Sequence, residues 1–189
     1  MDIRLIVAVA LALLLGVFLV FAPGRGPQAE LIIAQGAANQ IAIVNTGSGR
    51  LTAVPAGPSV HGVGVLPDGK IAYAASFASN EVSVVDLKAR KTITKIDVGG
   101  KAHHVTVCPH GKHVFVTVGE TNSVAVIDPG TNTVIAQIPV GTQPSYAVLT
   151  PDEKLYVTNM GANTVSVIDT AQMKTIATVE VGKSPDHAT

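Results

Sequence analysis

The sequence contains no tryptophan, and aromatic residues make up only 4% of its 189 positions. Its core therefore has to be built from Val, Ile, Leu and Ala, a composition that suits strands on a pleated, half-buried surface. A single cysteine, Cys108, excludes an intrachain disulfide and leaves the redox compartment unread. Charge of one sign is missing as well, since 13 basic and 13 acidic side chains cancel. No basic cluster stands out, which excludes nucleic acid as a partner, because neutralising phosphates takes grouped Lys and Arg. Several signatures of common chemistry are missing too: a Cys-x-x-Cys-His haem attachment, a Gly-x-Gly-x-x-Gly run, a nucleophile elbow and a zinc-protease helix. Val181-Gly182-Lys183-Ser184 has the ending of a phosphate loop, but Ala177 stands where its first glycine is needed and no helical pattern follows. Acidic residues are spread one or two per turn and form no acid/base pair. No catalytic residue is assigned, and the reading leans away from an enzyme.

What is present begins with a long apolar run. Leu5 to Ala22 is 18 residues without a charge, followed by a Pro/Gly-rich connector. As a helix it would be about 27 Å long, near the lower limit for crossing a bilayer. It reads as an uncleaved membrane anchor or a cleaved signal peptide over residues 1–22, with a linker over 23–30. Either reading exports the remainder of the chain to the cell envelope, periplasmic or extracellular, and an uncleaved run adds the membrane as a partner.

From Leu31 onward the chain repeats itself. Asn39, Asn80, Asn122 and Asn163 stand 41, 42 and 41 residues apart, and Gly57, Gly99, Gly141 and Gly182 stand 42, 42 and 41 apart. Asp86, Asp128 and Asp169 keep the same step, with Asn45 in the first copy, and so do Pro67, Pro109 and Pro151. A period of roughly 40 to 45 residues carrying four short strands is the signature of β-propeller blades. The expected fold is thus all-β: four-stranded antiparallel blades, about four of them, preceded by an N-terminal hydrophobic helix. The copies run 31–70, 71–112, 113–154 and 155–189.

The runs Tyr156-Val157-Thr158-Asn159, Asn163-Thr164-Val165-Ser166-Val167-Ile168-Asp169 and Val181-Gly182-Lys183-Ser184-Pro185 resemble the YVTN-type β-propeller repeat family. That family is related in fold to WD40-like propellers and to the haem d1 and quinoprotein-type propellers of bacterial envelopes. The resemblance implies that the YVTN-like run is the second strand of a blade, the TVSVID-like run the third and the KTIATVEV-like run the outermost. The stretch after each repeat glycine becomes the innermost strand of the next blade. On that assignment there are four second-to-outer sets but only three full innermost strands, at 61–67, 103–109 and 145–151, plus a stub at 186–189. The chain is then a fragment of a longer propeller, which is the favoured reading, or a four-bladed ring closed by the stub, or half of a two-chain ring. An open array would leave blade edges free for self-association.

Turn chemistry is legible. Leu66-Pro67-Asp68-Gly69-Lys70 places Pro at the second position of a type I turn and leaves Gly69 to take positive φ. Pro151-Asp152-Glu153-Lys154 has no such glycine, which predicts a different or longer turn. Asp86, Asp128 and Asp169 are expected to close their strands by accepting hydrogen bonds from turn backbone.

The histidines are the feature that rises above scaffold. Four residues after the repeat glycine come His61, His103, Ser145 and Asp186; one further come Gly62, His104, Tyr146 and His187. The resemblance places these positions at the mouth of the central channel. His61, His103, His104, Ser145, Tyr146, Asp186 and His187 are therefore the candidate ligand-binding residues. His61, His103, His104 and His187 are the candidate ligands for a transition metal or haem-type cofactor, as imidazoles suit Zn, Cu, Ni or haem iron. His110 and His113 fall roughly 20 Å away at the other end of a blade, and Cys108 lies about 13 Å from His104 along its strand, too far for a nucleophile pair. Cys108 is expected to pack as a strand residue.

The expected function is a non-catalytic scaffold binding a protein or small molecule at the propeller mouth. The alternatives are a metal- or haem-binding redox propeller and a lactonase-like hydrolase. The last would want acidic ligands at the mouth, where Asp186 is the single acidic candidate.

Overall fold

A computed structural model describes residues 19–22 and 29–188. It is a β-propeller of four blades, each a four-stranded antiparallel sheet. Blade 1 comprises β1 (Leu19–Ala22), β2 (Glu30–Gln35), β3 (Gln40–Asn45) and β4 (Leu51–Pro55). Blade 2 comprises β5 (Val60–Val65), β6 (Ile71–Ser76), β7 (Glu81–Asp86) and β8 (Lys91–Asp97). Blade 3 is β9 (Ala102–Val107), β10 (Val114–Val118), β11 (Ser123–Asp128) and β12 (Thr133–Pro139). Blade 4 is β13 (Pro144–Leu149), β14 (Lys154–Asn159), β15 (Thr164–Asp169) and β16 (Lys174–Glu180). Each sheet follows chain order from the innermost strand outward, as the repeat assignment requires.

One boundary moves. Leu19–Ala22, the end of the apolar run read as a helix, is the innermost strand of blade 1, with Leu19 opposite Ile33 and Ala22 opposite Glu30. Leu-Val-Phe-Ala is rich in strand formers, and without it β2 would present a bare edge. All four blades therefore have an inner strand. The residues after β16 form no strand, and the C-terminal stub does not complete blade 1. The rest of the apolar run and most of the connector lie outside the described residues. Among the described residues no helix is long and apolar enough to cross a membrane.

Blades are joined by one recurring stripe of five side chains. In blade 2 it is Tyr73, Val82, Val84, Ile96 and Val98, packed on Val105, Val114, Val116 and Ile127 of blade 3. In blade 3 it is Phe115, Val124, Val126, Ile138 and Val140, packed on Ala147, Leu155, Val157 and Ile168 of blade 4. Ile32, Ile41, Ile43, Val54 and Ala56 play the same part between blades 1 and 2. Strand alternation explains the pattern, since every second residue faces the neighbouring blade. Blade 4 carries the stripe as Tyr156, Val165, Val167, Val179 and Val181, and there the described residues give it no comparable cover: Ile96 and Ile138 are 5% and 1% exposed, whereas Val179 is 51% exposed. Nor do the described residues of blades 4 and 1 pack on each other as successive blades do.

The landmarks of the repeat are turn devices. The side chains of Asn45, Asp86 and Asp128 accept from the backbone N–H of Ser48, Ala89 and Gly130, all at 2.8 Å, and Asp169 accepts from Ala171 and Gln172. Asn39, Asn122 and Asn163 take left-handed φ of 55°, 50° and 57°. Their amide oxygens accept from the N–H of Ser59, Gln143 and Ser184, holding the loop that leads to the next blade. The turn at Pro151 corrects the sequence reading. Glu153 adopts φ 59° and its N–H bonds to Thr150 O at 3.0 Å, the same turn that Gly69 and Gly111 make at φ 71° and 66°. Pairing of the flanking strands imposes the geometry, and a non-glycine residue tolerates it at some strain.

Candidate functional site at the propeller mouth

The mouth is built from the first residues of the inner strands. His61 is second in β5, His103 and His104 are second and third in β9, and Ser145 and Tyr146 hold the same places in β13. Asp186 and His187 follow β16 and meet them there. Because neighbouring strand residues point to opposite faces, the two alignment columns separate into two tiers.

In the first tier the His61 and His103 rings lie 4.1 Å apart between centroids, tilted by 38°. Phe77 meets His103 edge-on at 5.4 Å. His103 Nδ1–H donates to Ser145 O at 3.0 Å, and the Ser145 hydroxyl donates to Asp186 Oδ1. The second tier is a stack: His104 on Tyr146 at 3.8 Å, and Tyr146 on His187 at 4.9 Å. His187 Nδ1 lies 3.1 Å from Asp186 Oδ2 and ties the tiers together. All seven sequence-predicted mouth residues thus converge.

Threonines clasp the blades beneath the tiers. His104 N–H donates to Thr117 Oγ1 at 3.0 Å, and that hydroxyl donates to Ser145 O at 2.9 Å. One repeat later Tyr146 N–H donates to Thr158 Oγ1 at 3.1 Å, which donates to Asp186 O at 2.8 Å. At the blade 2 position stands Ala75, and close approach replaces the clasp. A Cβ on Gly62 would come within 2.7 Å of His103 O, so only glycine lets β5 and β9 approach this closely.

Burial governs the electrostatics. It lowers the pKa of His104 to about 3, with the neighbouring His103 adding to the effect. His103 falls to about 4, first by burial and then by His61, and burial lowers His61 as well. Asp186 is held below the usual carboxylate value, chiefly by the Ser145 hydroxyl. His61, His103 and His104 are therefore neutral at neutral pH. Their rings pack on one another or on Tyr146 in tilted arrangements. Among the described residues no group of three or more His, Cys, Asp or Glu is disposed to hold a metal ion.

Beside the first tier opens a cleft of about 430 Å³. Phe77 and Met160, 46% and 37% exposed, line it together with Gly119. Lys101 and Glu120, paired at 3.1 Å, and Gln143 complete its rim, while His103 and Ser145 reach it from the mouth. Phe77, Gly119 and Met160 are one repeat column, the residue after the second strand of blades 2, 3 and 4. Sequence reasoning missed them. They share an aligned column of the repeat, but no common side-chain chemistry marks it.

The residues set aside lie elsewhere. Exposed His110 sits 3.7 Å from Glu153 across the turns at the far end of the blades, His113 packs against Phe115, and Cys108 is buried in the cluster between blades 3 and 4.

Fold and site together define a β-propeller with an aromatic, histidine-lined mouth. Within that class the chain belongs to the family described as Domain of unknown function (DUF5074), whose model matches residues 31–188. No curated protein matches the sequence. Among solved structures it is similar to Kuenenia stuttgartiensis hydrazine synthase, with 24% identity and a TM-score of 0.75, covering 79% of this chain and 45% of that one. It is also similar to a functionally unknown protein from Desulfotomaculum acetoxidans DSM 771, at 16% identity and TM-score 0.70, covering 89% of this chain and 57% of that one. The chain thus spans about half the length of these structures, and at such identities the likeness shows the fold alone.

Proposed function

We propose that this chain is a YVTN-type propeller of the cell envelope whose mouth cleft binds a small molecule or a protein segment without transforming it. The observation that carries the reading is the pair of exposed apolar side chains, Phe77 and Met160, that line the cleft together with the half-buried, neutral ring of His103. Large apolar side chains left in water on a rigid rim are the usual mark of a binding surface. The polar groups nearby are engaged in structure: Ser145 with Asp186, Asp186 with His187, and His103 with a carbonyl. Residues 5–18, the part of the apolar run ahead of β1, have the length of the hydrophobic region of an export signal and support export, and the open stripe of blade 4 supports self-association.

A thermal-shift screen of the full chain against a small-molecule and peptide library tests the reading. Hits should stabilise the wild type and lose most of that effect in a Phe77→Ala, Met160→Ala double variant. Hits that stabilise both equally would place binding elsewhere. A redox-cofactor or hydrolytic role has weaker support, since the mouth imidazoles stack on one another or on Tyr146. Metal analysis and an absorption spectrum of protein purified from its native host test it: a bound metal or chromophore that disappears in His103→Ala would favour the cofactor.

A further inference from the structure

We infer that the open stripe of blade 4 is the seat of a fifth blade of this repeat, from outside the described residues, whose turn presents an asparagine-type acceptor to Tyr156. The inference is independent of what the mouth binds. Register defines the seat. Tyr156 pairs with Val167 and Val165 with Val179, as Phe115 pairs with Val126 and Val124 with Ile138 in blade 3. The two stripes therefore occupy the same face of their sheets. In blade 3 the stripe is covered by the aliphatic face of blade 4, whereas in blade 4 Val179 and Val181 stay 51% and 41% exposed. Continuity with the interfaces before it makes another blade face the surface that completes it. The entry to such a blade is also marked. Thr158 clasps Asp186 O as Thr117 clasps Ser145 O, which sets residues 186–188 where an inner strand begins.

A turn residue decides which blade fits. Gly49, Arg90, Asn132 and Met173 recur once per repeat, between the third and outer strands, at left-handed φ of 69°, 56°, 54° and 50°. The last three reach back to the second strand of the blade before. Arg90 forks onto Glu30 of β2, Asn132 accepts from the Tyr73 hydroxyl of β6 at 2.8 Å, and Met173 packs on the cluster that contains Phe115 of β10. Cation meets acid, acceptor meets hydroxyl, and thioether joins an aromatic cluster. Blade 4 again offers a tyrosine, at the repeat position of Tyr73. An aliphatic residue over that hydroxyl would take it from water without a partner, so the fitting blade brings an amide oxygen. A second copy of this chain does not supply one. Its end blade is blade 1, whose turn residue is Gly49, and there Leu31, Ile33 and Ala42, the counterparts of Val114, Val116 and Ala125, are already buried.

The full chain extended after Thr189 by a copy of residues 107–140 tests the inference. Thr189 is the repeat counterpart of Thr106, so the copy continues in register and brings its Asn132 to the turn. Val179→Ala should be nearly silent in the chain itself and should lower the thermal midpoint of the extended chain as far as Ile138→Ala does. Asn132→Met in the appended copy should lower that midpoint by about 2–4 °C, the scale of one hydrogen bond in a protein of this size, and the difference should vanish in Tyr156→Phe. If Val179→Ala stays silent in the extended chain, the face is not a blade seat. If Asn and Met serve equally well opposite Tyr156, or their difference persists in Tyr156→Phe, recognition by the turn residue fails. Self-association of the unextended chain through the open stripe should be weak. A dimer that persists at nanomolar concentration and dissolves with Val179→Lys would make a second copy the occupant and overturn the inference. Should the first extension not fold, a copy of residues 149–181 carrying Met173→Asn takes its place in the same register. Failure of both to add β-sheet circular dichroism would equally overturn it.

Discussion

His104 is the most deeply buried histidine of the mouth. Its imidazole, with a pKa near 3, sits beside His103 near 4, whereas both titrate near 6.5 in an unfolded chain. Between about pH 6.5 and 4 the unfolded chain binds more protons than the folded one, so stability should be complete above that interval and fall as the pH drops through it. Thermal unfolding followed from pH 7.5 to 4.5 should show this slope, and it should flatten in His104→Phe, which keeps a ring against Tyr146 and removes the titration. An unchanged slope would assign acid sensitivity to other groups. The columns holding these histidines were visible in the sequence because the repeat keeps them in step. Their stacking was not, because ring against ring is decided by lateral spacing between blades. Phe77 and Met160 escaped notice for a different reason: a phenylalanine, a glycine and a methionine share no chemistry that marks their column.

At the scale of the element, turns and clasps carry the sequence signal. Glu153 holds a left-handed conformation that glycine adopts at the two equivalent turns. Glu153→Gly should therefore raise stability in urea by ~0.5–1 kcal/mol, and a loss would show that the flanking strands do not strain the residue. Thr117 links two backbone polar groups in a buried place. Thr117→Val keeps the shape but removes the link and leaves the His104 N–H and one lone pair of Ser145 O unsatisfied, which should cost about 1–3 kcal/mol. Strand order within blades was legible because the repeat fixed it. β1 was not: a short apolar run inside a longer one has no period of its own, so Leu19–Ala22 could not be told from helix until its pairing with β2 was seen.

At the scale of the molecule, the four blades are equivalent in sequence and unequal in burial. Ile138→Ala should cost ~2–4 kcal/mol by opening a cavity between blades 3 and 4. Val179→Ala, at the matching place in blade 4, should change stability by less than about 0.5 kcal/mol. Equal costs in denaturant titrations would mean that the stripe of blade 4 is covered in solution, and sedimentation across a concentration series would then show whether a second copy provides the cover. The threonine clasps bear on how this architecture can change. Each joins the inner strand of one blade to the segment that follows that blade, and each tier of rings draws its members from successive repeats. An isolated repeat therefore contains no mouth at all. The smallest heritable unit of the mouth is the run of blades 2, 3 and 4 in that order. Loss or duplication of a single blade within that run would break up the two tiers and the cleft beside them, whatever became of the blades that remained.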